Sequence, residues 1–242
     1  MGLIKNRVAP LILCGGLGTR LRSRVSGMPK ALSQVAGRPF LDYQLDWIAK
    51  YEFTNILLAA GYFGSQIDHY TNNSKYKNIT SVILESKPLG TGGAIVNAWK
   101  NKNFDASTVL VINGDTYLNF DLIKMLDYHF EKQSSITMAI LKVENSERFG
   151  SVTLNSFKNI IGFEESGLNS QFYTNAGVYI IESKAIEKMP TKPFSIEKYF
   201  HEISGSCDFY GYKLPEDTAF IDIGTPDSYD FINASLFNVG NR

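Results

Sequence analysis

Cysteine is scarce in this sequence, neither sign of charge is in excess, and no apolar run is long. Cys14 and Cys207 are the only two cysteines in 242 residues. Their scarcity and separation argue against a disulfide framework and point to a reducing compartment. Basic and acidic residues number 24 each, with no block of like charge, so neither a nucleic-acid nor an anionic-membrane surface is expected. No stretch approaches the ~20 apolar residues of a membrane span, and the N-terminus lacks a secretory hydrophobic region. A soluble, cytoplasmic protein is therefore expected. Internal repeats, low-complexity segments and a Pro/Ser-rich linker are absent as well. What is present, 44% apolar residues over this length, suits one large α/β domain with a buried core.

The stretch that stands out is Val8-Ala-Pro-Leu-Ile-Leu-Cys-Gly-Gly-Leu-Gly-Thr-Arg-Leu21, with Pro29-Lys30 behind it. Its apolar start suits a strand buried on both faces, and Cys14 within it reads as a small buried hydrophobe. At Gly15-Gly16-Leu17-Gly18 the side chains vanish and backbone N–H groups become free to surround an anion. Arg20 and Lys30 then supply cations, which makes a phosphate-holding arrangement. A P-loop is excluded because no Lys-Ser or Lys-Thr follows the second glycine. A dinucleotide fingerprint fails too: counted from Gly16 it finds Gly18, but Leu21 stands at the third glycine's place.

Along the chain, Arg20 to Gly37 reads as a loop over the site, and Phe40 to Tyr51 as a helix with a broad apolar face. Asn55 to Ala60 is a buried strand, Gln66 to Tyr70 a short helix, and Ile79 to Leu84 a less central strand. Glu85-Ser-Lys-Pro-Leu-Gly-Thr-Gly-Gly-Ala94 forms a second glycine turn before a helix from about Ala94. The clearest strand, Thr108 to Asp115, delivers Asp115 to the edge where open α/β sheets bind ligands. Asp121 caps a helix from Leu122 to Lys132, and Ser135 to Val143 is another strand. Shorter strands follow at Gly150 to Leu154, Ile160 to Glu164, Ala176 to Ile181, Phe209 to Lys213 and Ala219 to Asp222. A helix spans Ser195 to Ile203, and Thr225-Pro226 opens a last one. Its aromatics Tyr229, Phe231 and Phe237 are expected in the core, with packing against a second copy in a homo-oligomer as the alternative.

Asp115 and Asp222 each end a strand, so two sequence-distant carboxylates converge at one edge. Hard oxygen ligands beside bound phosphate suit Mg²⁺, which completes its shell with phosphate and water; taken singly, each aspartate also reads as a turn or cap residue.

Together these residues resemble the sugar-1-phosphate nucleotidyltransferase family. The pattern G-G-x-G-T-R-L then P-K appears as Gly15 to Leu21 and Pro29-Lys30. It continues through Pro88 to Ala94, Asn113-Gly-Asp115, Arg148-Phe-Gly150, Asn175 to Tyr179 and Phe220 to Pro226. The wording, with Phe194-Ser-Ile-Glu197, is most similar to guanylyltransferases of a heptose 1-phosphate. The resemblance implies a Rossmann-like three-layer mixed sheet, mostly parallel, with helices on both faces. It divides residues 1–242, one domain, into a nucleotide-binding half (1–147) and a sugar-phosphate-binding half (148–242).

The implied reaction joins a sugar 1-phosphate to GTP, with Arg20 and Lys30 as catalytic cations and Mg²⁺ on Asp115 and Asp222. Leu13, Gly15, Gly16, Gly18 and Thr19 line the nucleotide, and Gly90 and Thr91 close its other side. Glu85 stands at the base-reading position; its carboxylate suits guanine, which presents two donors, and does not exclude UTP. Gly150, Glu165 and Asn175 carry over to the sugar side. One departure is Ser166, where the family has a lysine on the sugar's phosphate. Either Lys158 or Arg148 replaces that lysine or the chain is weaker in catalysis, and a non-catalytic nucleotide-sugar sensor is the competing function.

Overall fold

The computed structural model describes residues 6–16, 18–21, 23–143, 151–164, 172–205 and 208–239. The chain begins with β1 (Val8–Leu13) and two 3-10 turns at Thr19–Leu21 and Lys30–Leu32. A small hairpin of β2 (Gln34–Val35) and β3 (Arg38–Pro39) and helix α1 (Phe40–Ala49) come next. Two strand–helix units follow, β4 (Ile56–Ala60) with α2 (Gly64–Asn72) and β5 (Thr80–Leu84) with α3 (Gly90–Asn101). Then come β6 (Thr108–Asn113), β7 (Thr116–Asn119), α4 (Leu122–Glu131), β8 (Ile136–Val143), β9 (Ser151–Leu154) and β10 (Ile160–Glu164). The remainder is β11 (Phe172–Glu182), α5 (Ser183–Ile186), α6 (Ile196–Ile203), β12 (Phe209–Lys213), β13 (Ala219–Asp222) and α7 (Pro226–Val239).

Strands with no polar face settle in the middle. Leu11, Ile12, Ile56, Leu57 and Leu58 are fully buried, and burying each such side chain is worth roughly 1.5–3 kcal/mol. They form a parallel block in the order β5-β4-β1-β6. Leu13 pairs with Ala59 on one side and Asn113 on the other, so the three strands end level and whatever follows each shares one edge. β5, only partly buried, is the edge strand its weaker pattern suggests. On the other flank β11 runs antiparallel to β6, carries β8 beyond it, and meets the β9–β10 hairpin through its first residues. β12 completes the nine-stranded mixed sheet parallel to β8.

The sheet is the middle of three layers. Leu41, Leu45 and Ile48 of α1, Ile67 of α2 and Met125 and Leu126 of α4 pack on one face with Ile12. Ile95 and Ala98 of α3, Ile186 of α5 and Ile196 and Phe200 of α6 pack on the other with Leu11. The Rossmann-like reading of the sequence is borne out.

Several local expectations are corrected. The segment after Arg20 is not plain loop: it holds the two 3-10 turns and the β2–β3 hairpin. Helix α3 starts at Gly90, four residues before the expected Ala94. Its glycines serve close packing, since a Cβ on Gly92 would meet the Phe194 ring at 2.1 Å. Gly90 has φ +72° and its Cβ would stand 2.4 Å from the Phe194 carbonyl oxygen. Gly90→Ala should therefore cost about 1–2 kcal/mol for the left-handed backbone and about 1–3 kcal/mol more for the collision. A urea midpoint equal to the wild type's would show that this contact is not held in solution. β11 begins at Phe172 rather than Ala176, because a bulge between Asn175 and Tyr179 lets pairing resume on both sides of it. In α7, Tyr229 packs in a cluster with Val35, Phe40 and Ile223, but Phe231 is 71% exposed, because residues two apart on a helix do not share a face. The side chain of Phe237 is outside the described residues. The caps hold as expected: Asp121 Oδ1 accepts from Ile123 N at 3.0 Å, and Thr225 Oγ1 accepts from Ser228 N at 3.3 Å.

At the edge of the sheet opposite the glycine turns, His129 is buried with Nε2 3.1 Å from Glu182 Oε1, and Thr108 Oγ1 donates to the same oxygen at 2.8 Å. Burial alone would raise the Glu182 carboxyl, but the hydrogen bonds from His129 and Thr108 outweigh it and hold its pKa below the ordinary range. A depressed carboxylate stabilises the fold above its unfolded pKa and loses that contribution as pH falls through the folded value. Between pH 7 and pH 3 the urea midpoint of the wild type should thus fall further than that of Glu182→Gln. Parallel curves would remove Glu182 from the acid response.

Candidate active site

The glycine turn leaves β1 at the level edge. Gly15 faces Glu85: a Cβ on Gly15 would stand 2.7 Å from Glu85 Oε1 and 3.0 Å from Gly61 N. Glycine is required there by the approach of a half-buried carboxylate. That carboxylate extends beyond β5 over the ends of β1 and β4, which brings the two glycine segments together although β4 lies between their strands. Burial pushes the Glu85 pKa up, tempered by the N–H of Leu89, which donates to Oε2 at 3.2 Å. Gly16, Gly18, Met28, Lys30, Tyr62 and Phe63 are among the residues lining a cleft of about 190 Å³. Gly18 takes φ +57°. Thr19 and Arg20 are exposed on the first 3-10 turn, and Leu13 is the half-buried last residue of β1.

β6 delivers the acidic residue. A Cβ on Gly114 would stand 2.2 Å from the Leu13 carbonyl oxygen, so the chain can cross behind β1 only without a side chain. Asp115 emerges beside it and accepts from Lys30 Nζ at 2.7 Å. The chain returns as β7, which pairs with β13 so that Thr116 stands opposite Asp222. Ile223 N donates to the Asp115 carbonyl at 3.0 Å, and Asp222 Oδ1 accepts from Gly224 N. A Cβ on Gly224 would be 2.5 Å from Asp222 Oδ1 and 3.5 Å from Lys30 Nζ. Two carboxylates and one lysine ammonium thus converge next to the glycine turn, drawn from three distant parts of the sequence.

This donor set fits a divalent cation. Two carboxylates offer hard oxygens while the rest of the shell is left to phosphate and water, the habit of Mg²⁺. The Lys30 ammonium already balances part of the charge of the pair.

Behind the aspartates lies a rigid support that the sequence pattern did not reveal. Gln44, fully buried within the apolar face of α1, donates through Nε2 to the carbonyls of Asn113 at 2.8 Å and Thr116 at 2.7 Å. It fixes the turn carrying Asp115. Its one signal is its type: a carboxamide three residues from Leu41 and four from Ile48 on a stripe otherwise apolar. At the β11 bulge, Gly177 packs against Asn113 and Thr116, and Asn175 Nδ2 donates to the hydroxyl of the buried Tyr179 at 2.7 Å. Asn175 is therefore adjacent to the Asp115 turn. Gly90 and Thr91 stand at the start of α3, and the Thr91 hydroxyl donates to Glu197 Oε2 at 2.9 Å. Gly150, Glu165, Ser166, Arg148 and Cys207 lie outside the described residues. Cys14 is buried, and burial pushes its thiol up to about 12, which makes it inert.

No helix among the described residues is long and apolar enough to cross a membrane. A family model described as Nucleotidyl transferase matches residues 9–238. The D-glycero-alpha-D-manno-heptose 1-phosphate guanylyltransferase of Aneurinibacillus thermoaerophilus is 36% identical over 221 residues, 90% of this chain and 94% of its own length. The protein of the same description from Campylobacter jejuni is 31% identical over 225 residues, 90% of this chain and 96% of its own. The crystal structure of HddC from Yersinia pseudotuberculosis complexed with GMP-PN superposes with a TM-score of 0.81 at 31% identity, covering 94% of this chain and 99% of that one. Matched over nearly its whole length, as the order of its motifs led us to expect, the chain belongs to the nucleotidyl transferase family.

Proposed function

We propose that the protein joins a sugar 1-phosphate, a heptose 1-phosphate as in the relatives it resembles, to GTP and releases pyrophosphate and a GDP-sugar. The observation that carries this reading is the convergence of Lys30, Asp115 and Asp222 beside the Gly15–Gly18 turn, with Glu85 set over Gly15. A phosphate oxygen of the sugar attacks the α-phosphorus, the new P–O bond forms, and the bond to the β-phosphate oxygen breaks. No covalent nucleophile from the protein is needed; the work is holding attacker and leaving group in line and balancing charge. Arg20 and Lys30 supply positive charge to the triphosphate, and backbone N–H groups of Gly16 and Gly18 receive its oxygens. Asp115 and Asp222 hold Mg²⁺, which neutralises negative charge on the phosphates when bound. Leu13, Gly15, Thr19, Gly90 and Thr91 complete the nucleotide subsite within residues 1–147. By the same resemblance Gly150, Glu165 and Asn175, within residues 148–242 of the same domain, are assigned to the sugar. Glu85 accepts from both donors of the guanine edge. The reading places the reaction in the cytoplasm, where a thiol such as Cys14 stays reduced.

The test is pyrophosphate release with Mg²⁺, each of the four common NTPs and a panel of heptose and hexose 1-phosphates. Release with GTP and a heptose 1-phosphate is expected. Preference for UTP would transfer the assignment to a uridylyltransferase. Nucleotide-sugar binding without release from any pair would leave a sensor in place of an enzyme.

A further inference from the structure

The segment Phe194-Ser-Ile-Glu197 lies about a hundred residues from the nucleotide-side loop and is tied to it through Phe194, Ile196 and Glu197. Phe194 N donates to the Leu89 carbonyl at 3.0 Å, and Gly92 N donates to the Phe194 carbonyl at 3.1 Å. Ile196 N donates to Thr91 Oγ1 at 2.8 Å. The Thr91 hydroxyl, its lone pair so engaged, sends its proton to Glu197 Oε2 at 2.9 Å, an oxygen that also receives the Ser195 hydroxyl at 2.5 Å. Two of these ties use only backbone that any sequence provides, and the third needs the Thr91 hydroxyl. Only Glu197 supplies a charged acceptor, and a hydrogen bond to a charged group is worth roughly twice a neutral one.

Leu89 is the link to the base. Its carbonyl is held by Phe194, and its N–H donates to Glu85 Oε2. The carboxylate read above as selecting guanine is therefore oriented by a residue that is itself clamped from the second half of the chain. We infer that Glu197 is a positioning residue for base selection: through Thr91 it fixes Leu89 to Gly93, and through Leu89 it fixes Glu85. The inference rests on the assignment of Glu85 as the base-reading group. The plainer account of Glu197 is an acidic residue in the first turn of α6, favourable to the helix dipole. That account does not use its contact with Thr91, and it requires only a loss of stability.

The two accounts part on nucleotide discrimination. With GTP as substrate, the KM for GTP and the inhibition constant of UTP give a selectivity ratio for the wild type and for Glu197→Ala, Glu197→Gln and Glu85→Ala. Glu197→Ala should raise the GTP KM and lower the ratio about tenfold, the equivalent of one charge-assisted hydrogen bond, with kcat little changed. Glu197→Gln keeps an acceptor for Thr91 and should restore most of the ratio. If Glu197→Ala does not fold, Thr91→Val, which removes the donor at nearly constant volume, should lower the ratio in the same way. A ratio lost in Glu85→Ala but kept in the Glu197 and Thr91 variants overturns the positioning role and leaves the base reading standing. A ratio unchanged in Glu85→Ala overturns the base reading and the inference with it.

Discussion

Replacing Lys30 by alanine is expected to lower kcat for pyrophosphate release by about 10²- to 10³-fold, the usual cost of removing one preorganised charge-stabilising group. Lys30 Nζ stands 2.7 Å from Asp115 Oδ2 with its side chain 17% exposed. A cation so placed acts through protein and substrate rather than bulk water, where its field would be several-fold weaker. The contrast is Lys142, whose ion pair with Glu216 is 66% and 81% exposed; such pairs contribute about 0–1 kcal/mol, and Lys142→Ala should leave the rate unchanged. Lys30→Ala should keep its circular dichroism and unfold near the wild-type midpoint, because Asp115 is 35% exposed and can be solvated when its partner is gone. Lys30→Arg should recover only part of the rate, since a planar fork does not present its charge where an ammonium does. A Lys30→Ala enzyme within threefold of wild type would remove Lys30 from the charge-balancing role.

What the sequence disclosed was what depends on local pattern. The buried run ending at Leu13 and the glycines after it fix a strand and a turn free of side chains, and each follows from nearby residues alone. Asp222 was legible as the end of a strand, and Asp115 nearly so, since β6 stops at Asn113 and Asp115 stands in the turn beyond it. The pairing that sets them side by side was not legible. β7 is four residues between a turn and a helix, too short to show a period, and its partner β13 lies about a hundred residues away. The Gly90–Gly93 segment misled because glycine reads as a breaker. There it sits inside a helix, and the reason, the Phe194 ring and carbonyl, comes from a distant segment. Gln44 and Glu197 were hidden for a related cause. Each looks ordinary in its own helix, and its role appears only in the carbonyls and hydroxyl that the fold brings to it.

Asp222→Asn should lower kcat at saturating substrate by about three orders of magnitude, on the several kcal/mol that metal charge stabilisation supplies. The substitution keeps size and shape, and the amide oxygen can still accept from Gly224 N as Asp222 Oδ1 does, so β13 and its pairing with β7 should survive. What is lost is one of two negative charges facing the Lys30 ammonium. With both aspartates the cluster carries a net charge of about −1 and attracts a divalent cation; with one it is neutral, and attraction from the protein largely disappears. The concentration of Mg²⁺ or Mn²⁺ giving half-maximal rate should therefore rise in Asp222→Asn, and raising the metal should recover part of the rate. Asp115→Asn should behave alike in rate and, like Lys30→Ala, unfold near the wild-type midpoint, because the contact with Lys30 that it weakens is at a carboxylate 35% exposed. Titrating Mn²⁺ by its electron paramagnetic resonance signal separates the metal's affinity from its catalytic effect. Wild-type affinity for Mn²⁺ in Asp222→Asn, with turnover lost, would show that Asp222 serves the reaction without holding the metal.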